Sequence, residues 1–116
     1  MSDRQNVLEL QERKTRVSGT IFKVEGIKPL TRGFKQRIML HVPAEFSDRT
    51  GRQIFGEQYF WIEIFSTSQT DSRFLDNTSL GKPVSARLYV NGYHWIDTHK
   101  GLQCVTKLNF IDWIQP

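Results

Sequence analysis

The chain has a single cysteine, Cys104, among 116 residues. One thiol excludes an intramolecular disulfide framework and gives no hint of an oxidising compartment. No apolar run is long enough to span a bilayer, and no charged start leads into an apolar stretch. Neither a membrane helix nor a secretory leader is therefore expected, and the expected location is the cytoplasm. No repeat, no low-complexity segment, no glycine-rich phosphate loop and no nucleophile elbow is visible,. The acids Glu25, Glu63 and Asp112 are scattered, with no sign of a catalytic pair,. His94, His99 and Cys104 are three zinc-ligand types, but their five-residue steps miss the usual paired spacing and no fourth partner is near,. No enzyme, metal or cofactor is expected.

Acidic residues are scarcest where basic ones are densest. Between Arg13 and Arg37 the chain carries eight basic residues and one acid, Glu25, while the remaining ninety-one residues hold eight basic and eleven acidic groups. The formal charge of +4 therefore arises from one stretch, and such clustering favours an acidic partner more than the net value does. An apolar content of 38% with 24% charge fits a folded chain, and the length fits one domain,.

Residues 1–15 are polar, with a loose Val7, Leu8, Leu10 grouping, and are expected to be a flexible arm before a domain at 16–116,. Val17, Gly19, Ile21 and, after a bulge, Val24 predict a first strand, with Gly19 where a curled strand must approach another backbone,. Pro29 to Phe34 reads as a loop. Lys35 to Val42 alternates: Ile38, Leu40 and Val42 point inward, and Arg37, Met39 and His41 outward,. A long connector, Pro43 to Glu57, carries the turn signal Asp48-Arg49-Thr50-Gly51,. Gln58 to Phe65 predicts a third strand that buries Phe60, Ile62 and Ile64 and turns Tyr59, Trp61 and Glu63 outward. Thr70 to Asn77 is expected to be a short helix with Thr70 as cap, ended by Gly81-Lys82-Pro83,. Val84 to Val90 predicts a fourth strand with Arg87 and Tyr89 outward. Asn91-Gly92 and His99-Lys100-Gly101 bound a hairpin arm, and Leu102 to Ile114 is a fifth strand.

Three strands, a short helix and two more strands is the order of the OB-fold, an all-β, five-stranded Greek-key barrel. The segments Val17-Ser-Gly19-Thr-Ile21-Phe-Lys-Val24, Tyr59-Phe-Trp61-Ile-Glu63-Ile-Phe65 and Lys82-Pro-Val84-Ser-Ala-Arg-Leu-Tyr89-Val resemble those of bacterial and phage single-stranded DNA-binding proteins. They also resemble a neighbouring group of bacterial OB-domain proteins of unknown function. The likeness runs from about Arg16 to Ile114, and its motifs mostly encode barrel geometry. It implies single-stranded DNA binding through the second and third strands, usually by an oligomer. The bacterial proteins carry a glycine-rich extension with an acidic tip that recruits repair enzymes. This sequence stops at Ile111-Asp-Trp113-Ile-Gln-Pro116, so recruitment of that kind is not expected, and a tail-less primosomal or phage-type protein fits better.

Each candidate contact has two readings. Tyr59 and Trp61 are either a base-stacking platform beside Arg37 and Met39, or a dimer interface or packing under the long connector. Lys28, Arg32, Phe34 and Lys35 either grip phosphates and stack a base, or form a solvated loop with Phe34 tucked onto the barrel end. Tyr93 and Trp95, with Lys100, belong to a hairpin that either closes over the ligand or packs its rings across strands or between subunits. Arg16, Arg87 and Tyr89 are added to the nucleic-acid set, with Arg13 and Lys14 as extensions of the same path. Glu63 is awkward on a polyanion face and is expected to pair with Arg37, Lys35 or Arg87. Trp113 is expected to pack near the barrel end.

The leading expectation is a non-catalytic protein that binds single-stranded DNA in replication, recombination or repair, as a dimer or tetramer. The alternatives are a protein-interaction subunit or adaptor of a replication or secretion assembly, and an RNA-binding OB domain of the cold-shock kind. An oligosaccharide binder has least support, because its site would not need the basic run.

Overall fold

The computed structural model describes residues 13–114, of which nearly all regular structure is β. The strands are β1 (Lys14–Val24), β2 (Lys28–Pro29), β3 (Phe34–Val42), β4 (Glu45–Phe46), β5 (Gln53–Phe55), β6 (Gln58–Ser66), β7 (Pro83–Asp97) and β8 (Gly101–Ile114). β1 begins at Lys14, inside the arm expected over 1–15; the rest of that segment, 1–12, lies outside the described residues.

The sheet runs β1-β7-β8-β6-β3-β2, and an extra β1–β3 pairing joins its ends. β1 pairs first with β7, from Lys14↔Tyr89 to Thr20↔Pro83, and then with β3, from Thr20↔His41 to Val24↔Ile38. β3 and β6 pair antiparallel over nine residues, Phe34↔Ser66 to Val42↔Gln58. Among the described residues, the one parallel contact, Ile62↔Leu108 and Glu63↔Asn109, joins β6 to β8. A five-strand ring of this order is the OB-fold barrel. Gly19 is where β1 changes partner: a Cβ there would lie 2.4 Å from the His41 carbonyl oxygen. A side chain would therefore force the β1–β3 seam apart.

Inside the ring, Ile21, Ile38, Leu40, Ile62, Ile64, Ala86, Leu88 and Phe110 are buried. Full burial of an Ile or Leu side chain stabilises by about 1.5–3 kcal/mol, so the period-two alternation of β3, β6 and β7 sets which faces turn inward. Val24, Phe74, Leu75, Leu108 and Trp113 pack against this core from its rim.

Three expectations are corrected. The helix over Thr70–Asn77 is absent; in its place are turns and a three-residue 3-10 turn at Asn77–Ser79. Local side chains take the backbone groups that a helix would use. The Arg73 N–H donates to Asp71 Oδ1 (2.9 Å) and the Thr78 N–H to Asp76 Oδ1 (3.0 Å). The Leu75 N–H donates to Gln36 Oε1 (2.8 Å). Second, Asn91-Gly92 does not end β7, which continues to Asp97 and pairs with β8 down to Asp97↔Gly101. Asn91 holds this register by accepting from Arg13 Nη2 (2.6 Å) and donating to Asn109 Oδ1 (2.5 Å). The arm's turn falls at residues 98–100, by the expected His99-Lys100-Gly101 boundary; there Asp97 Oδ1 accepts from the backbone N–H of His99 (2.8 Å) and Lys100 (2.9 Å), and Gly101 takes a positive φ of 78°. Third, the connector Pro43–Glu57 contains a small hairpin, β4 with β5.

Gln36 is a polar side chain at a core position of β3, only 2% exposed. Its Nε2 donates to the carbonyl oxygens of Glu25 (2.9 Å) and Leu75 (2.7 Å). With the Leu75 bond to Oε1, the amide mimics a peptide unit and fastens the 67–82 segment across the barrel end. Arg73 completes that cap: it grips Asp71, donates to the carbonyl oxygens of Phe65 (3.0 Å) and Ile111 (3.2 Å), and its own carbonyl accepts from Trp113 Nε1 (3.0 Å). Trp113 thus packs near the barrel end as expected.

Gln36→Leu should destabilise the protein by about 3 kcal/mol, since it strands the Leu75 N–H and carbonyl without partners. Urea unfolding measures this as a lower midpoint at unchanged slope; a midpoint within error of the parent would refute the assigned role.

Candidate nucleic-acid interface

On the outer faces of β3 and β6, alternation displays Lys35, Arg37, Met39 and His41 beside Tyr59, Trp61, Glu63 and Phe65, in the register Lys35↔Phe65, Arg37↔Glu63, Met39↔Trp61, His41↔Tyr59. The side chains lean diagonally: Arg37 reaches Trp61 and Lys35 reaches Glu63, as the twist of a barrel sheet favours. The Arg37 guanidinium lies 4.0 Å from the Trp61 ring centroid, a close cation–π contact,. The nearest acid to Arg37 is Glu25, at 3.8 Å, and Glu25 Oε1 has no hydrogen-bond partner. Arg37 is therefore held mainly by the ring.

A bulge in β1 widens this surface. Register shifts between Ile21 and Lys23, so Ile21 faces Leu40, Lys23 faces Met39, and Phe22 is the inserted residue,. Phe22 and Lys23 are consecutive, and both are exposed. Lys23 Nζ stands 5.9 Å from the Trp61 centroid, and Phe22 meets Tyr59 edge to face at 5.0 Å. His41 adds a third ring, 5.0 Å from Tyr59. Glu57 Oε1 is 2.5 Å from His41 Nε2 and accepts from the Tyr59 hydroxyl at 3.1 Å. The hydrogen bonds from His41 and Tyr59 lower the Glu57 pKa, and the Glu57 carboxylate raises that of Tyr59.

At the other end of the face, Glu63 is 7% exposed. Its carboxylate lies between Lys35 Nζ (2.9 Å) and Lys107 Nζ (3.7 Å). Of the three partners expected for Glu63, the structure selects Lys35; Arg37 leans to Trp61, and Arg87 is bound elsewhere. Lys107 comes from the base of the β7–β8 arm, and its Nζ also stands 5.7 Å from the Tyr93 ring. Lys35, Arg37, Trp61 and Glu63 form one wall, and Val105, Thr106, Lys107 and Leu108 the other, of a groove of about 370 Å³.

The sequence-derived set divides on this surface. Lys35, Arg37, Met39, Tyr59 and Trp61 converge on the β3–β6 face. Tyr93 and Trp95 extend it along the arm, 47% and 50% exposed, and Lys100 sits at the arm's tip. Lys28 pairs across from Lys35, and Arg32 lies in the adjoining turn closed by the Leu30 N–H donating to the Gly33 carbonyl (2.9 Å). Phe34 shares the inward parity of Gln36 and Ile38 and is half-buried at the barrel mouth. Arg16, Arg87 and Tyr89 are not brought to this face; they lie on β1 and β7. Arg16 and Arg87 line a separate depression with Lys14 and Ile114. There Arg87 is held by Asp112 through two hydrogen bonds (2.7 and 2.6 Å), and Lys14 covers the Tyr89 ring at 5.6 Å. Sequence reasoning missed Phe22, Lys23 and Lys107 as surface components, and it turned His41 outward without counting it among the contacts. The bulge it did anticipate was the available signal for the first two. Among the described residues, no group of three His, Cys, Asp or Glu is gathered as for a metal ion.

No protein-family model matches the sequence, and no curated protein matches it. Solved structures do match. The Plasmodium falciparum SSB in complex with single-stranded DNA aligns at a TM-score of 0.59 and 15% identity, over 86% of this chain and 95% of that one. A small single-stranded DNA-binding protein from Streptomyces coelicolor aligns at 0.51 and 15% identity, over 88% and 89%. At this identity the likeness is one of fold, and the OB barrel expected from the order of elements is the fold observed.

Replacing Glu57 by Gln should lower the Tyr59 pKa toward the ordinary tyrosine value near 10. Phenolate absorbance, with Tyr59→Phe assigning the transition, reads the change; an unmoved Tyr59 titration would discount the Glu57 contact.

Proposed function

We propose that the protein binds single-stranded DNA without catalysis, through the β3–β6 face and the base of the β7–β8 arm. The observation that carries this reading is Trp61, partly exposed on the outer face with Arg37 at 4.0 Å and Lys23 at 5.9 Å from its ring. A flat ring flanked by cations serves both parts of an unpaired strand. Bases stack on the ring for about 1–3 kcal/mol each, and the cations replace counterions condensed on the phosphates. Tyr59, Phe22 and His41 continue the stacking surface one way; Tyr93 and Trp95 continue it along the arm. Lys28 and Arg32 supply further phosphate contacts and Lys100 another at the arm's tip, while Lys35 and Lys107 keep the groove net positive around Glu63. The fold likeness to the Plasmodium and Streptomyces proteins, whose descriptions name single-stranded DNA, supports the reading. The setting we infer is replication, recombination or repair in the cytoplasm. The same face accommodates RNA, and comparison of oligo-dT with oligo-rU decides the sugar.

Trp61→Ala should weaken oligo-dT binding about tenfold while leaving the dependence on salt unchanged, since it removes stacking alone. Lys35→Glu with Arg37→Glu should weaken binding and flatten the salt slope by roughly 0.7 log units per lost phosphate contact. Intrinsic fluorescence quenching reads both. If Trp61→Ala is silent and only the charge variant loses binding, the face is an electrostatic attractor and the stacking model fails.

We also propose self-association, as a dimer or tetramer. On the opposite face of the arm Ile96 and Leu102 oppose each other and are 74% and 66% exposed. An apolar pair this exposed is suited to burial against a second copy. Sedimentation mass tests this: Ile96→Ser with Leu102→Ser should shift an oligomer toward monomer, and a parent protein that is already monomeric would refute it.

A further inference from the structure

Glu63 sets a problem that general polyanion binding does not solve. A carboxylate in the wall of a phosphate-attracting groove opposes the ligand's charge, and this one offsets half of what Lys35 and Lys107 offer there. It is also inside, at 7% exposure, where an ionised group persists only because it is paired. Its pairing is lopsided. Oε2 forms an ion pair with Lys35 Nζ at 2.9 Å, whereas Oε1 stands 3.7 Å from Lys107 Nζ, beyond hydrogen-bond reach,. An ionised carboxylate accepts only, with about four lone-pair sites on its two oxygens. The groove wall thus keeps acceptor capacity directed by its two flanking cations, two residues along β6 from the Trp61 ring.

We propose that Glu63 is a base-reading residue: it accepts hydrogen bonds from the Watson–Crick edge of a base lodged in the groove, and so gives the site a preference for guanine over thymine. This rests on the single-stranded DNA reading above and deepens it. Guanine presents two adjacent donors, N1–H and the N2 amine, which match the two oxygens of a carboxylate. Thymine presents one N–H between two carbonyl oxygens, both of which a carboxylate repels. Cytosine and adenine, with an amine but no adjacent ring N–H, fall between. Lys35 and Lys107 then act on the carboxylate more than on phosphate, holding it aimed, while Arg37 and Lys23 at Trp61 remain for the backbone.

The experiment compares short oligonucleotides of equal length: all-thymidine, alternating thymidine–deoxyguanosine, and alternating thymidine–deoxyinosine, which keeps N1–H but lacks the N2 amine. Binding is followed by tryptophan quenching at matched salt. The wild-type protein should favour the guanine series over all-thymidine by about tenfold, as one well-made base contact gives, with inosine intermediate. Glu63→Gln should abolish that preference and bind all-thymidine more tightly, with a steeper salt slope, because Lys35 and Lys107 become free for phosphate. A residue with only a structural role would lower every affinity together. Lys107→Gln, which leaves Glu63 on Lys35, should keep the guanine preference. Equal wild-type affinity across the three series overturns the inference while leaving single-stranded binding intact, and that comparison needs no variant to fold. A preference that survives Glu63→Gln overturns it equally. Failure of every oligonucleotide to bind at low salt overturns the preceding functional reading and this inference with it.

Discussion

Closing a five-stranded ring requires one strand to serve two neighbours, and here β1 turns from β7 to β3 around residue 19. At that position even a methyl group would sit 2.4 Å from the His41 carbonyl oxygen. Glycine therefore fixes where the seam lies, and the seam fixes the layout of the surface beside it. Three residues later the strand absorbs its curvature in a bulge, and the bulge carries Phe22 and Lys23 onto the surface next to Tyr59 and Trp61. The cation and the ring that flank the central platform are thus consequences of barrel geometry as much as of sequence placed for binding.

The β3–β6 surface divides into regions with different electrostatic character. At one end, rings dominate: Phe22, His41 and Tyr59, with Glu57 tying the last two. In the middle, Trp61 carries two cations, Arg37 closest, with Glu25 3.8 Å from Arg37. At the far end, Glu63 holds two lysines in a groove against the arm. A strand bound as proposed crosses stacking rings, then charge attraction, then a carboxylate set between two cations. Lys14 and Arg16 of β1 and Arg87 of β7 stand apart from this path, and Asp112 neutralises Arg87.

Period-two alternation made most of the barrel legible. Ile38, Leu40, Ile62, Ile64, Ala86 and Leu88 are inward where the pattern put them, because a buried strand face leaves apolar side chains little choice of side. The anticipated break after Ile21 is the observed bulge. What was illegible depended on partners remote in sequence. Phe74 and Leu75 do pack on the core, but Asp71, Asp76 and Gln36 capture the backbone groups a helix needs. Asn91-Gly92 carries a turn signature, yet Asn109 and Arg13 hold Asn91 in an extended ladder. In the site, parity showed that Tyr59 and Trp61 face outward. It could not show that Lys107 reaches Glu63 from β8, since that contact exists only through the parallel β6–β8 pairing.

The end cap and the groove rest on different kinds of force. Gln36 fastens residue 75 through a neutral amide shielded from solvent, whereas the groove is lined by ionic side chains nearer the surface. Electrolytes screen the second strongly and the first scarcely at all. In the proposed binding mode, added electrolyte would therefore release a bound strand while the scaffold stays folded, as a reusable clasp requires.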